Sequence, residues 1–135
     1  MRISGMNLLA ILVAAIAIYL VGFVIYGMLI APESWMAMSG ITKEQADAVG
    51  MTRMPYSPIM PIMTAIGLAI LFKWGNVSGI GNGIKWAAVV AFASAIPAIW
   101  YGWVYGVGGS TISLIDSAHL LVGHILAGAI LASWK

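Results

Sequence analysis

From Leu8 to Ala31 the chain runs for 24 residues without one charged side chain. About 20 apolar residues in helical form cross the roughly 30 Å hydrocarbon core of a bilayer. A soluble helix that long would need one polar face, and this stretch has none. Three further stretches share the property. Trp86 to Val107 has no charge over 22 residues, Ser117 to Trp134 has none over 18, and Pro58 to Phe72 is apolar up to Lys73. Transmembrane strands would alternate in polarity in short blocks, and none of these stretches does. The reading is all-α, an integral membrane four-helix bundle in one transmembrane domain over residues 1–135. Its spans are expected at about 7–31, 58–74, 85–107 and 115–134.

Composition agrees. Charged residues make up 7% of the chain and hydrophobic ones 62%, whereas a soluble domain carries about 25% charged residues. Too few charges exist to cover a water-facing surface, so lipid must solvate most side chains. The absence of cysteine excludes disulfides, zinc thiolate sites and cysteine nucleophiles. A net charge of +2 without a basic run leaves no nucleic-acid footprint.

The second span is the shortest. Pro55, Pro58 and Pro61 crowd its start, where a missing N–H costs least because first-turn donors have no partner anyway. From Pro58 to Trp74 a helix would reach ~25 Å, which is just adequate. The first stretch follows Arg2 in the manner of a signal peptide, but it exceeds the 7–15 residues of a cleaved apolar region, so it is read as a retained span. Arg2, Lys73, Lys85 and Lys135 lie on the side of the termini, and Lys43 and Arg53 on the other. This four-to-two bias puts both termini on the cytoplasmic side of a bacterial inner membrane. Trp35, Trp74, Trp86 and Trp134 fall near span ends, where indole rings favour the interface.

Residues 32–57 form the one sizeable extramembrane segment, a short interfacial helical segment between spans one and two. Pro32 and Glu33 suit a helix start and Gly40 its end. Trp35, Met36 and Met38 give this helix an apolar side that can lie on the membrane surface. Thr42-Lys43-Glu44-Gln45 spells a capping box, which predicts a second short helix to about Val49, closed by Gly50. The segment serves either as a lid or docking surface or simply as an interfacial connector. The glycine-rich GNVSGIGNG of Gly75 to Gly83 reads as a loop. It follows a helix and lacks a lysine-serine pair, so phosphate binding is not expected there.

MNLLAILVAAIAIYLVGFVIYG in the first span, Trp35, the Gly40-Ile41-Thr42 triplet and the closing HLLVGHILAGAILASWK form a pattern that resembles the bacterial domain of unknown function 1761 family of small membrane proteins. The likeness runs over nearly the whole chain. Its motifs are hydrophobic patterns, and Ile25-Tyr26 stands where the family often has tryptophan-tyrosine. The resemblance implies a four-span fold and supplies no activity.

Chemistry is confined to a few polar groups. A charge at the centre of a membrane helix costs ~2.5–3.5 kcal/mol on insertion scales, so intramembrane ionisable residues are where function is sought. Asp116, expected at the entrance of the last span, is accompanied by His119 and His124. On a helix His119 lies about 60° to one side of Asp116 and His124 about 80° to the other. All three can face the bundle interior. Ser113 and Ser117 add hydroxyls. Tyr19 and Tyr26 are seven apart on one face of the first span. Tyr101 and Tyr105, an i, i+4 pair, can meet His119. Two readings follow. Asp116, His119, His124, Tyr101 and Tyr105 form a proton or solute path, or Asp116 caps the fourth helix and the histidines are neutral hydrogen-bond partners. An axial histidine for haem or a chlorophyll-type pigment is a third, but two histidines five apart point about 140° apart and cannot readily share one metal.

No enzyme is expected. A zinc protease helix needs two histidines four apart with a glutamate between them, a serine triad lacks context, and Asp116 is the lone carboxylate bordering the core. Small residues recur every fourth position in the third span at Ser94, Ala98, Gly102 and Gly106, beside a stripe of Ala87, Ala91 and Ala95. The fourth span pairs Gly123 with Ala127 and Gly128 with Ala132 on adjoining faces. Such residues let helices approach closely in lipid. Pro97 should kink the third span. The primary reading is a structural or accessory subunit of a membrane assembly or homo-oligomer. The alternatives are a small proton-coupled transporter or channel and a haem- or pigment-binding subunit. Other membrane subunits or further copies of the chain are the expected partners.

Overall fold

A computed structural model describes residues 2, 3, 5–106 and 108–134. Val107 and Lys135, assigned above to the third span and to the basic end, lie outside the described residues. The fold is all-α, with four helical passes long and apolar enough to cross a membrane: Leu8–Leu29, Met54–Trp74, Ile80–Tyr105 and Ser110–Ser133. The chain is a membrane protein whose apolar helices are built for contact with lipid.

Helix α1 (Leu8–Val24) begins where the Asn7 side chain accepts from the backbone N–H groups of Leu9 and Ala10. A two-residue pairing of Arg2–Ile3 with Met6–Asn7 precedes it. The helix widens into a π-helical turn over Ile25–Leu29 and ends at extended Ile30. Helix α2 (Pro32–Ser39) starts on proline and stops at Gly40, whose φ of 68° is the left-handed conformation that glycine adopts without penalty. Helix α3 (Lys43–Arg53) opens on the capping box, with Gln45 N–H donating to the Thr42 hydroxyl and Thr42 N–H to the Gln45 side chain. It does not end at Gly50. It runs to Arg53 and passes through a 3₁₀ turn, Met54–Tyr56, into α4 (Ile59–Trp74). No atom lies close enough to Gly50 to require a glycine.

The third pass begins earlier than its uncharged run suggests. Helix α5 (Ile80–Val90) includes the last four residues of the glycine-rich stretch expected as a loop, and Gly83 is buried in it. A π-helical turn, Ala91–Ala95, joins it to α6 (Ile96–Tyr105), with Pro97 in the first turn of α6. The wide turn accommodates the N–H that proline lacks. Helix α7 (Ser110–Ser133) is the longest, 24 residues or about 36 Å. It packs against α1, α4, α5 and α6 and touches α2, so the other passes are arranged around it.

Burial is uneven along the bundle. Ala10, Ala14, Ala15 and Ile18 of α1, Ala65, Leu68 and Phe72 of α4, Ala87 of α5, and Ala127, Leu131 and Ala132 of α7 form one core near the end that carries the termini. The closest approach is between α5 and α7. A Cβ on Gly83 would overlap the Gly128 carbonyl and the Ala132 side chain, and one on Gly128 would overlap the Gly83 carbonyl and Ala87. Glycine is required here for contact between backbones, a packing mode that substitutes for the hydrophobic effect in lipid. Gly123 meets Ile18 of α1 on the adjoining face. Both small-residue faces of α7 are thus occupied by helices of its own chain.

Candidate functional site

The opposite half of the bundle is built differently. No residue of α6 or of the first π turn is fully buried. In this half α7 carries its ionisable groups. Because α7 starts at Ser110, Asp116 lies about 9 Å along it rather than at its entrance. It does not cap the helix. Gly109 holds the N-cap position, and the first turn contains no acidic residue. The hydroxyl of Tyr26, in the π turn that follows α1, instead donates a hydrogen bond to Asp116 Oδ1.

His119, one turn further on, completes the cluster. Its ring stands edge-on to that of Tyr26, with centroids 5.5 Å apart and planes at 81°. Gly22 makes room for it, since a Cβ there would stand 3.0 Å from His119 Nε2. Asp116, His119 and Tyr26 are each half-buried. Lys43–Asp47, on α3, is the one ion pair among the described residues, so Asp116 has no cationic partner there.

His124 follows at the junction with the packed core. It is 6% exposed. Its Nδ1 lies 2.7 Å from the Leu120 carbonyl. A carbonyl can only accept, so Nδ1 carries a proton. Ser113 and Ser117 turn back onto their own helix, donating to the carbonyls of Gly109 and Ser113. Above them, Gly109 N–H donates to the Met38 carbonyl at 3.2 Å. This bond ties α2 across the start of α7 and brings the interhelical segment to the same end as the cluster.

Tyr101 and Tyr105 do not join this group. They stack on each other with planes at 8° and are 66% and 82% exposed. The aromatic partner of His119 is Tyr26, which contacts it from the first pass. Tyr19 and Tyr26 also part company. Residues seven apart share a face in a continuous α-helix, but these two meet different neighbours. Tyr26 reaches α7, whereas Tyr19 accepts from the Ser57 hydroxyl ahead of α4 at 3.5 Å. Ser94, Ala98, Gly102 and Gly106 face outward, and nothing approaches Gly102 within 4 Å. Among the described residues no three His, Cys, Asp or Glu side chains are placed to hold a metal ion.

Tyr26 and Gly22 are the site residues that spacing alone did not supply. Their signal is nevertheless present, as a tyrosine and a glycine one turn apart in the first pass. A polar group beside a gap marks the face where a second polar side chain fits. A family model described as "Protein of unknown function (DUF1761)" matches residues 9–132. No curated protein and no solved structure matches the chain.

Proposed function

Because the chain belongs to the DUF1761 family, whose description records no activity, we propose a function from its side chains: a small proton-exchanging membrane protein whose Tyr26–Asp116–His119 cluster receives a proton, or a solute that carries one. The observation that supports this is the hydrogen bond from Tyr26 to Asp116 across two helices. Asp116 is the one carboxylate of the spans, and its partner is a neutral phenol rather than a cation. A group so placed is costly to keep charged in a membrane. Proton exchange gives that cost a use. His119 adds a second ionisable group one turn deeper, packed against the Tyr26 ring. His124 continues the line toward the packed core. The four-to-two bias of basic residues supports termini on the cytoplasmic side of a bacterial inner membrane, an orientation in which the cluster faces the outer side.

The test is pH-driven flux in proteoliposomes. Asp116→Asn keeps the hydrogen-bond acceptor but cannot ionise, and is expected to abolish the flux. Wild-type flux in that variant would remove Asp116 from the proposal. The cysteine-free chain makes the orientation testable as well. A lone cysteine at Ser39 should react with an impermeant maleimide from outside intact cells, and one at Ser133 should not.

A second reading, an accessory or self-associating subunit, is favoured by the outward row of Ser94, Ala98, Gly102 and Gly106. Such rows support helix contacts in lipid. Native mass in mild detergent separates the two readings. A lone protomer across detergents counts against the subunit reading and leaves the flux test untouched.

A further inference from the structure

At the end carrying the termini, a cleft of about 240 Å³ opens between the first residues of the chain, the last turn of α4 and the last turn of α7. Its floor belongs to the packed core: Ala69, Phe72 and Leu131 are all buried. Among the described residues its rim carries the cation Lys73 together with Asn76. The Lys73 side chain extends over the Gly5 turn, its Cε 3.9 Å from where a Cβ on Gly5 would stand. Opposite, Asn7 fixes the wall by donating from Nδ2 to the Trp134 carbonyl at 3.1 Å. The cleft therefore joins an apolar floor to the positive charge of Lys73 on a rim held by a chain-end contact.

We propose that this cleft binds the headgroup of an anionic phospholipid, with the phosphate at Lys73 and the start of the glycerol and acyl chains over Phe72 and Leu131. The proposal is independent of the proton-exchange reading. A free anion would have no use for the apolar floor, and an uncharged amphiphile none for Lys73. The level fits as well. Trp74 and Trp134 flank the cleft at the ends of α4 and α7, and tryptophan marks the depth of lipid headgroups. Lys85 offers an internal control. It is exposed on α5 and does not line the cleft.

The whole chain is reconstituted in nanodiscs of equal parts phosphatidylglycerol and phosphatidylcholine, and lipids retained after release are counted by native mass spectrometry. One phosphatidylglycerol is expected to remain in preference to phosphatidylcholine. Lys73→Gln should lower its retention about fivefold, the effect of one basic residue near an anionic lipid. Lys85→Gln should leave retention unchanged. Ala69→Leu fills the floor without altering charge and should also lower retention. Equal loss in both lysine variants, or equal retention of the two lipids, would overturn the site in favour of ordinary annular lipid. Displacement of the lipid by millimolar inorganic phosphate would overturn it in favour of a free-anion site.

Discussion

The two halves of this bundle are held by different physics. Toward the termini, α1, α4, α5 and α7 meet through alanine, glycine and leucine, and two backbones touch at Gly83 and Gly128. Toward the other end the buried residues thin out to Ile112 and Ser113. Contact there is made by one phenol–carboxylate hydrogen bond, an edge-on aromatic pair and the backbone bond from Gly109 to Met38. Lipid tails are as apolar as leucine, so burying leucine gains little from transfer. A membrane bundle gains from close packing, which small residues allow, or from polar pairs. This chain uses the first device as a base and the second where chemistry is available.

The strongest way to break that contrast is to wedge the base. Gly128→Leu drives a side chain into the Gly83 carbonyl and Ala87. Overpacking of this kind costs about 3 kcal/mol, and backbone cannot yield as a side-chain tip does. The expected outcome is loss of the monodisperse peak in size-exclusion chromatography of the solubilised protein. The same change at Gly102, which has nothing within 4 Å, should leave the peak in place. A similar collapse at both positions would show that the outward row is packed against something as tightly as the base is.

Next in size is a cavity. Leu68 is 2% exposed in the packed core. Leu68→Ala should destabilise by about 2 kcal/mol, the lower end of the soluble range, because the packing term persists while the transfer term largely vanishes in lipid. Tyr105→Ala, at a residue 82% exposed, should leave the thermal melt unchanged. Smaller again is Tyr26→Phe, which removes only the hydroxyl donated to Asp116. Interhelical hydrogen bonds in membranes are worth about 0.6 kcal/mol on average. The melt should therefore move little while proton flux falls. A Tyr26→Phe loss as large as that of Leu68→Ala would make the cluster a structural clasp.

The sequence carried the base of this architecture more openly than the site. Long uncharged runs announce membrane passes, since hydrocarbon tolerates little else. The misread segments were those where glycine has two meanings. In GNVSGIGNG the first five residues do form the connection, but the last four are helical, and Gly83 is needed for contact with Gly128 rather than for a turn. Gly50, read as a helix end, lies inside α3. Pattern along one helix also cannot say which face meets which neighbour. Tyr101 with Tyr105 and Gly22 with Tyr26 have the same i, i+4 spacing. Only the placement of α1 against α7 brings the second pair to His119. The π turn at Ile25–Leu29 leaves no mark in composition, because it uses the same kinds of residue as the α turn before it.

The smallest expected effects lie in the segment joining the first two passes, and they test whether it is mechanically separate from the base. The Asp47 carboxylate, hydrogen-bonded to Lys43 at 2.9 Å, raises the lysine above its ordinary range. A cation with a raised folded-state pKa contributes fully below its unfolded value and loses that contribution as pH rises through the folded one. Any benefit of the pair is therefore confined to pH below the lysine range. Full exposure and salt screening leave little of it even there. Lys43→Gln should not move the melt at neutral pH in physiological salt. Thr42→Ala instead removes one arm of the capping box, a change worth about 1 kcal/mol to a helix. Hydrogen exchange should accelerate at the first amides of α3 while the melt and the exchange of α5 and α7 stay as they were. Faster exchange at the Gly83–Gly128 crossing would show that the two ends unfold together and that the contrast between them is one of composition alone.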